Sequence, residues 1–146
     1  MKHLHQISRD VAGISGSGGF KAWKALVTAI SAEGAGAANA IDITLQIVDM
    51  EGAPIKAQVP IILYAGVNTA GVYTGGTALS AAMSIVSGNA QRLVSYTSTR
   101  MALILTDELG GAIVRFTAGA GASERRMVIM SPGGMVVGQS DALVWT

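Results

Sequence analysis

The chain contains no cysteine, and only 5% of its 146 residues are aromatic. Without cysteine there can be no disulfide framework, no thiolate nucleophile and no cysteine-type zinc site. No apolar run approaches the roughly 20 residues that cross a bilayer as a helix, so we expect no membrane-spanning segment. The first 20 residues are polar and rich in glycine where a signal peptide needs an apolar block, which predicts a protein made and assembled in the cytoplasm.

Charge is also scarce, because Asp, Glu, Lys and Arg make up 13% of the residues, against the usual share of about 25%. Ten basic and nine acidic side chains leave a formal net charge of +1. This balance argues against a nucleic-acid-binding protein, which normally carries a concentrated basic face. So little charge also predicts that part of the surface is covered by a partner or by copies of the chain.

Apolar residues alternate with polar ones along much of the chain. Ile41, Ile43, Leu45 and Ile47 alternate with polar residues, which is typical of a strand with one buried face. A turn at 49–54 follows, and the alternation resumes over 55–64. Pro60 lies inside this second run and has no N–H, so we expect it at a sheet edge or a bulge.

Further short strands are predicted between turns rich in Gly, Ser and Pro, at about 79–86, 92–97, 101–106, 112–117, 125–130 and 135–145. A glycine-rich loop is predicted at 65–78. Residues 20–31 fit either a helix or a strand, and the strands that follow favour a strand. The sequence therefore predicts an all-β fold over 20–146, with the strand pattern of an antiparallel β-sandwich or barrel.

Residues 1–19 are interpreted as a flexible N-terminal arm. They contain four glycines among serines and isolated apolar residues, too little apolar surface to offset the entropy of ordering the backbone. Leu4, Ile7, Val11 and Ile14 recur at roughly helical spacing, so the arm can also order against a partner.

The stretch "ILTDELGGAIVRFT" places two adjacent acids between two strands. Gly110 and Gly111 tolerate positive φ, and Asp107 can accept hydrogen bonds from nearby backbone amides. General acid–base catalysis needs a desolvated or crowded carboxyl, whereas acids on a turn face water. We therefore interpret Asp107-Glu108 as the turn of a hairpin and not as a catalytic pair.

No catalytic, cofactor-binding or metal-ligating residue is assigned, and an enzyme is not predicted. His3 and His5 have only Asp10 nearby as a third ligand, which falls short of a metal site. "GISGSGGFK" and "AGAGAS" lack the spacing and the strand–helix context of phosphate-binding loops.

Five arginines form a possible basic strip if neighbouring strands align them: Arg92, Arg100, Arg115, Arg125 and Arg126. Arg125 and Arg126 are adjacent and must point to opposite faces of a strand, so we expect solvated surface or salt bridges instead. Trp23 and Trp145 are predicted core aromatics, with interface anchors as the alternative. Five methionines are expected to fill core or contact surface, namely Met83, Met101, Met127, Met130 and Met135.

Two turn motifs carry a family resemblance: Asp49, Gly52 and Pro54 after one strand, then Thr106, Asp107 and Gly110 before another. In this respect the chain resembles bacterial Ig-like domains of the invasin type. "LVTAISAEGAGAANAIDITLQIVD" is more closely similar to small Ig-like structural proteins of tailed bacteriophages. The resemblance covers about residues 22–146, and it implies an Ig-like β-sandwich that lacks the Cys…Trp…Cys set of antibody domains.

The resemblance implies a non-enzymatic virion protein, most specifically a capsid decoration protein that binds the head lattice partly through its arm. The expected partners are the major capsid protein or another virion protein, and further copies of the chain in a homo-oligomer. Two alternatives remain open: a tail or tail-tube-associated module, and a bacterial adhesin-like binding domain.

Overall fold

Alternating buried and exposed side chains produce nine strands. A computed structural model of the chain describes residues 22–67, 83–87, 90–97, 101–118 and 124–146. The strands are β1 (Trp23–Ile30), β2 (Ala40–Asp49), β3 (Pro60–Val67), β4 (Ser84–Ser87), β5 (Gln91–Thr97), β6 (Met101–Leu105), β7 (Gly111–Thr117), β8 (Arg125–Met130) and β9 (Val136–Gln139). The predicted arm at 1–19 lies outside the described residues.

The strands form two antiparallel sheets, one with the order β1-β2-β7-β4 and one with the order β5-β6-β3-β8-β9. Apolar side chains from one face of each sheet fill the space between them. The largest fully buried side chains are Phe116, Ile43, Leu45, Ile47, Ile61, Leu63, Met83, Ile104, Met127, Ile129, Leu143 and Val114. The predicted all-β antiparallel sandwich is confirmed. Within the described ranges, no helix is long and apolar enough to cross a lipid bilayer.

The strand layout matches that of a variable-type immunoglobulin domain, whose two sheets are A-B-E-D and C″-C′-C-F-G. The four-stranded and five-stranded sheets occupy the same positions here. The path between β3 and β7 differs, because the chain visits the position of strand D first, then C″, then C′. The two sheets thus have the same strand layout, whereas the order in which these three strands are joined differs.

Residues 23–30 are a strand, as the sequence favours. The predicted strand at 55–64 is wrong in its first half, because β3 begins only at Pro60. Pro60 also lies at neither an edge nor a bulge, since β3 is the middle strand of its sheet. The position is tolerated because the ladder with β8 starts only at Ile62, so the missing N–H faces no partner strand.

A side chain 47 residues away explains why 55–59 is irregular. The buried Thr106 hydroxyl accepts a hydrogen bond from the Val59 amide at 2.8 Å and donates one to the Ala57 carbonyl at 3.3 Å. The Val59 amide and the Ala57 carbonyl are therefore paired with a side chain in place of a ladder.

The last predicted strand is shortened in a similar way. The sequence predicts a strand over 135–145, whereas β9 ends at Gln139. The buried Ser140 hydroxyl accepts a hydrogen bond from the Met127 amide at 2.8 Å and donates one to the Asp141 carbonyl at 2.7 Å. After Ser140, the chain pairs with β8 again at an isolated bridge between Leu143 and Arg125.

Three turns at one end of the sandwich share one hydrogen-bond pattern, at residues 49–53, 107–111 and 131–135. The first residue of each turn is Asp or Ser, and its amide donates to the carbonyl of the fifth residue at 2.8–2.9 Å. Its side-chain oxygen accepts from the amide of the fifth residue. The fourth residue is a glycine with φ between 78° and 93°, which favours Gly because it has no Cβ.

The prediction that Asp107-Glu108 lies in a turn is confirmed, and the prediction that this turn closes a hairpin is wrong. Asp107 Oδ1 accepts hydrogen bonds from the amides of Leu109 at 2.9 Å and Gly111 at 2.8 Å. The flanking strands β6 and β7 belong to different sheets. The turn therefore carries the chain from one layer of the sandwich to the other.

The two tryptophans pack as predicted for core aromatics. Trp145 is buried, and its indole N–H donates to the Asn39 carbonyl at 3.0 Å. Trp23 is half-buried against the core. The C-terminal segment is thereby fastened to the end of the sandwich opposite the three turns.

The edge strands β1 and β9 of the two sheets meet at Gly138, where a Cβ atom would collide with the Ala25 carbonyl oxygen. We predict that Gly138→Ala destabilises the fold by about 1–3 kcal/mol, because backbone cannot move aside as a side-chain tip can. Gly66→Ala is the matched control, since its Cβ meets nothing closer than 3.6 Å. Denaturant unfolding measures both, and equal stabilities would contradict the close approach.

Asp107→Ala removes both hydrogen bonds that the carboxylate accepts in its turn. We predict a loss of about 1–2 kcal/mol in the free energy of unfolding. The neighbouring variant Glu108→Ala serves as the control and is expected to stay within about 0.5 kcal/mol of the unmodified chain, because Glu108 is exposed. If Glu108→Ala costs as much, the turn does not depend on Asp107.

Candidate functional site

The two outward faces of the sandwich differ in chemistry. The face of the four-stranded sheet is polar and presents Asp42, Thr44 and Gln46 from β2 and Arg115 from β7. Arg115 donates to both carboxylate oxygens of Asp42, at 2.7 and 2.8 Å. These hydrogen bonds raise the pKa of the Arg115 guanidinium further above its ordinary value. This face is suited to water.

The outward face of the five-stranded sheet is apolar, and we call it the outer face. The strand register aligns Leu103, Ile62, Met130 and Val136 in one row across four strands. The first three are half-buried and Val136 is exposed. The neighbouring rows add Leu105 on one side and Met101, Tyr64 and Val128 on the other.

The sequences of these strands explain the apolar face. β3 begins with "PIILY", β6 reads "MALIL" and β8 ends in "MVIM", so apolar residues occupy both the inward and the outward positions. Strands that read as continuous apolar runs are usual where both faces of a sheet are covered. A two-layer sandwich covers one face only, so the outer face is a candidate contact surface.

A second group of exposed apolar side chains, beside the exposed Glu51 and Glu108, lies at the end of the sandwich formed by the three turns, which we call the turn end. Met50, Leu109 and Met135 project there with 61%, 62% and 71% of their surfaces exposed. The turns at 49–53 and 107–111 are adjacent, because the Ile47 amide donates to the Gly110 carbonyl at 2.9 Å. Each side chain sits on a backbone held by the shared hydrogen bonds, so the turn end is preformed.

The arginines that the structure describes do not form a strip. Arg115 lies on the polar face, Arg126 on the outer face and Arg125 in the interior at 2% exposure. The expectation that Arg125 and Arg126 point to opposite faces is confirmed, whereas the expectation that Arg125 is solvated is wrong. Burial lowers the pKa of the Arg125 guanidinium. Arg100 and the side chain of Arg92 lie outside the described residues.

Chemistry-bearing side chains are dispersed. Among the residues that the structure describes, no three His, Asp or Glu side chains lie close enough to hold a metal ion. His3, His5 and Asp10 lie outside those residues, as do the glycine-rich stretches 13–19 and 119–121. A groove of about 480 Å³ runs along the free edge of β1, lined by residues 25–30, Gln139 and Asp141. It holds one carboxylate and no partner for acid–base chemistry.

Sequence reasoning singled out neither Ile62 nor the exposed Met50 and Leu109. The signal for Ile62 was present, because it stands between two buried apolar residues in a strand whose other face is already apolar. Met101, Met130 and Met135 were expected in core or contact surface, and the structure places them on the outer face and the turn end.

No known protein family, curated protein or solved structure matches this chain.

The methionines report on both candidate surfaces. We predict that peroxide oxidises Met50 and Met135 fastest and Met83 and Met127 slowest, because sulfoxide formation follows exposure. Peptide mass spectrometry measures the rates, and the guanidinium-unfolded chain, in which all rates should converge, is the control. Fast oxidation of Met127 in the folded chain would contradict the burial described.

Proposed function

We propose that the chain is a non-enzymatic structural protein of a tailed-phage virion, most specifically a capsid decoration protein. Its partner is the major capsid protein or another virion protein. The phage assignment rests on the resemblance of residues 22–146 to small Ig-like structural proteins of these viruses.

One observation carries the non-enzymatic, adhesive role. Among the described residues, half of the exposed large apolar side chains lie on these two surfaces, namely Met50, Leu109, Met135 and Val136, and the outer face adds rows of half-buried apolar side chains. An active site instead gathers titratable groups in a cleft where burial and like charges shift their pKa values. Surplus apolar surface rimmed by polar residues is typical of protein–protein contact.

The turn end is the proposed attachment surface. In variable immunoglobulin domains the loops at one end of the sandwich contact the ligand, and the β2–β3 and β8–β9 turns occupy the equivalent positions. Because hydrogen bonds already hold the backbone of these turns, docking costs little backbone entropy, although the exposed side chains must still be ordered. The N-terminal segment 1–19 is proposed as a second attachment, and simultaneous engagement of both strengthens weak single contacts.

Co-sedimentation with empty heads of the phage that encodes the chain tests this proposal. We expect saturable binding, and we expect the double variant Leu109→Gln, Met135→Gln to bind roughly tenfold or more weakly, because truncating buried apolar anchors costs affinity. The change leaves the turn backbone bonds in place.

Val144→Gln is the matched control, because Val144 is 54% exposed but lies at the end opposite the turns. It is expected to bind like the unmodified chain. Failure of the unmodified chain to bind heads would overturn the decoration role, and equal binding of the double variant would overturn the turn end as its surface.

A further inference from the structure

We infer that the outer face of the five-stranded sheet binds the outer face of a second copy of this chain, forming a two-fold dimer. The row Leu103, Ile62, Met130 and Val136 lies at the centre of the contact. The partner of the outer face is thereby an identical surface, and the turn end remains available for the virion.

The size of the face is compatible with a small dimer interface. Five strands spaced by about 4.8 Å make a sheet roughly 24 Å wide, and strands of four to eight residues span roughly 13–26 Å. Each copy therefore offers a footprint of roughly 300–600 Å². Two such faces together bury roughly 600–1,200 Å², and the upper part of this range reaches the roughly 1,000 Å² at which specific interfaces begin.

The charges also permit self-pairing. Among the side chains that the structure describes, Arg126 is the charged one on this face, and it lies four residues along β8 from Met130. Its Nη1 donates towards the Ser140 carbonyl at 3.5 Å, away from the central row. The apolar rows can thus be covered without burying a charge, and no like charges meet at their centre.

The geometry of the partner follows from symmetry. A two-fold axis places the same patch on both sides of the interface, so the apolar central rows of one copy meet the apolar central rows of the other. Sheets that pack face to face lie about 10 Å apart with strands nearly aligned. The rows of Leu, Ile, Met and Val side chains then interdigitate like the core between the two sheets of one copy.

This inference rests on the proposed function in one respect, because both treat uncovered apolar surface as contact surface. The two concern different surfaces, so they fail separately. If the chain is a dimer but does not bind heads, only the decoration role is excluded. If the chain is a monomer but binds heads, only the dimer is excluded.

Sedimentation analysis of the full chain, the variant Ile62→Asp and the variant Ile113→Asp tests the inference. The unmodified chain should be a dimer. Ile62→Asp should raise the dissociation constant of this dimer roughly tenfold or more, because it places a charge in the central row. Ile113 is the matched control: it is also a half-buried isoleucine facing outward, but on the polar face. Ile113→Asp should remain dimeric.

Three results would overturn the inference: a monomer at the highest soluble concentration, an assembly larger than a dimer, or a dimer that survives Ile62→Asp. Circular dichroism confirms that each variant is folded. If Ile62→Asp does not fold, peroxide oxidation of the methionines in the unmodified chain tests the inference instead. The oxidation rate of Met130 must then fall relative to that of Met50 as the population shifts from monomer to dimer. A constant ratio of the two rates excludes the outer face as the dimer interface.

Discussion

A two-layer sandwich can bury only one face of each sheet, and this constraint governs the rest of the structure. The two inward faces bury each other, and the side chains between them include Ile43, Phe116, Leu63 and Ile129. The four-stranded sheet meets the constraint on its second face with polar residues. The five-stranded sheet differs, because β3, β6 and β8 carry apolar residues on both sides. Its outward face is therefore the candidate contact surface.

The two candidate surfaces differ in how they are held. The outer face is supported by ladders between strands that are distant in sequence, so its flatness depends on the whole sheet. The turn end is supported by hydrogen bonds within five residues, so each projecting side chain depends on its own turn. The outer face and the turn end are thus separate surfaces, as the two proposed contacts require.

Local alternation was enough to predict the strands whose pairing is regular. β2, β7 and β8 were located within a residue or two because one buried face imposes period two on each. The errors at 55–59 and after Gln139 have a common cause: hydroxyls of Thr106 and Ser140 replace ladder partners, and this competition is invisible in a window of neighbouring residues. The sheet that each strand joins was equally inaccessible, which is why the turn between β6 and β7 was read as a hairpin. The outer face was readable in the uninterrupted apolar runs, but only once their inward positions were known.

The shared turn has a consequence for how this protein can change. Its backbone asks for Asp or Ser at the first position and Gly at the fourth, and leaves the remaining positions to any residue that tolerates exposure. Met50, Leu109 and Met135 occupy the second, third and fifth positions of their respective turns. Selection can therefore change the side chains exposed at this end of the sandwich, one substitution at a time, while the turn backbone keeps its shape.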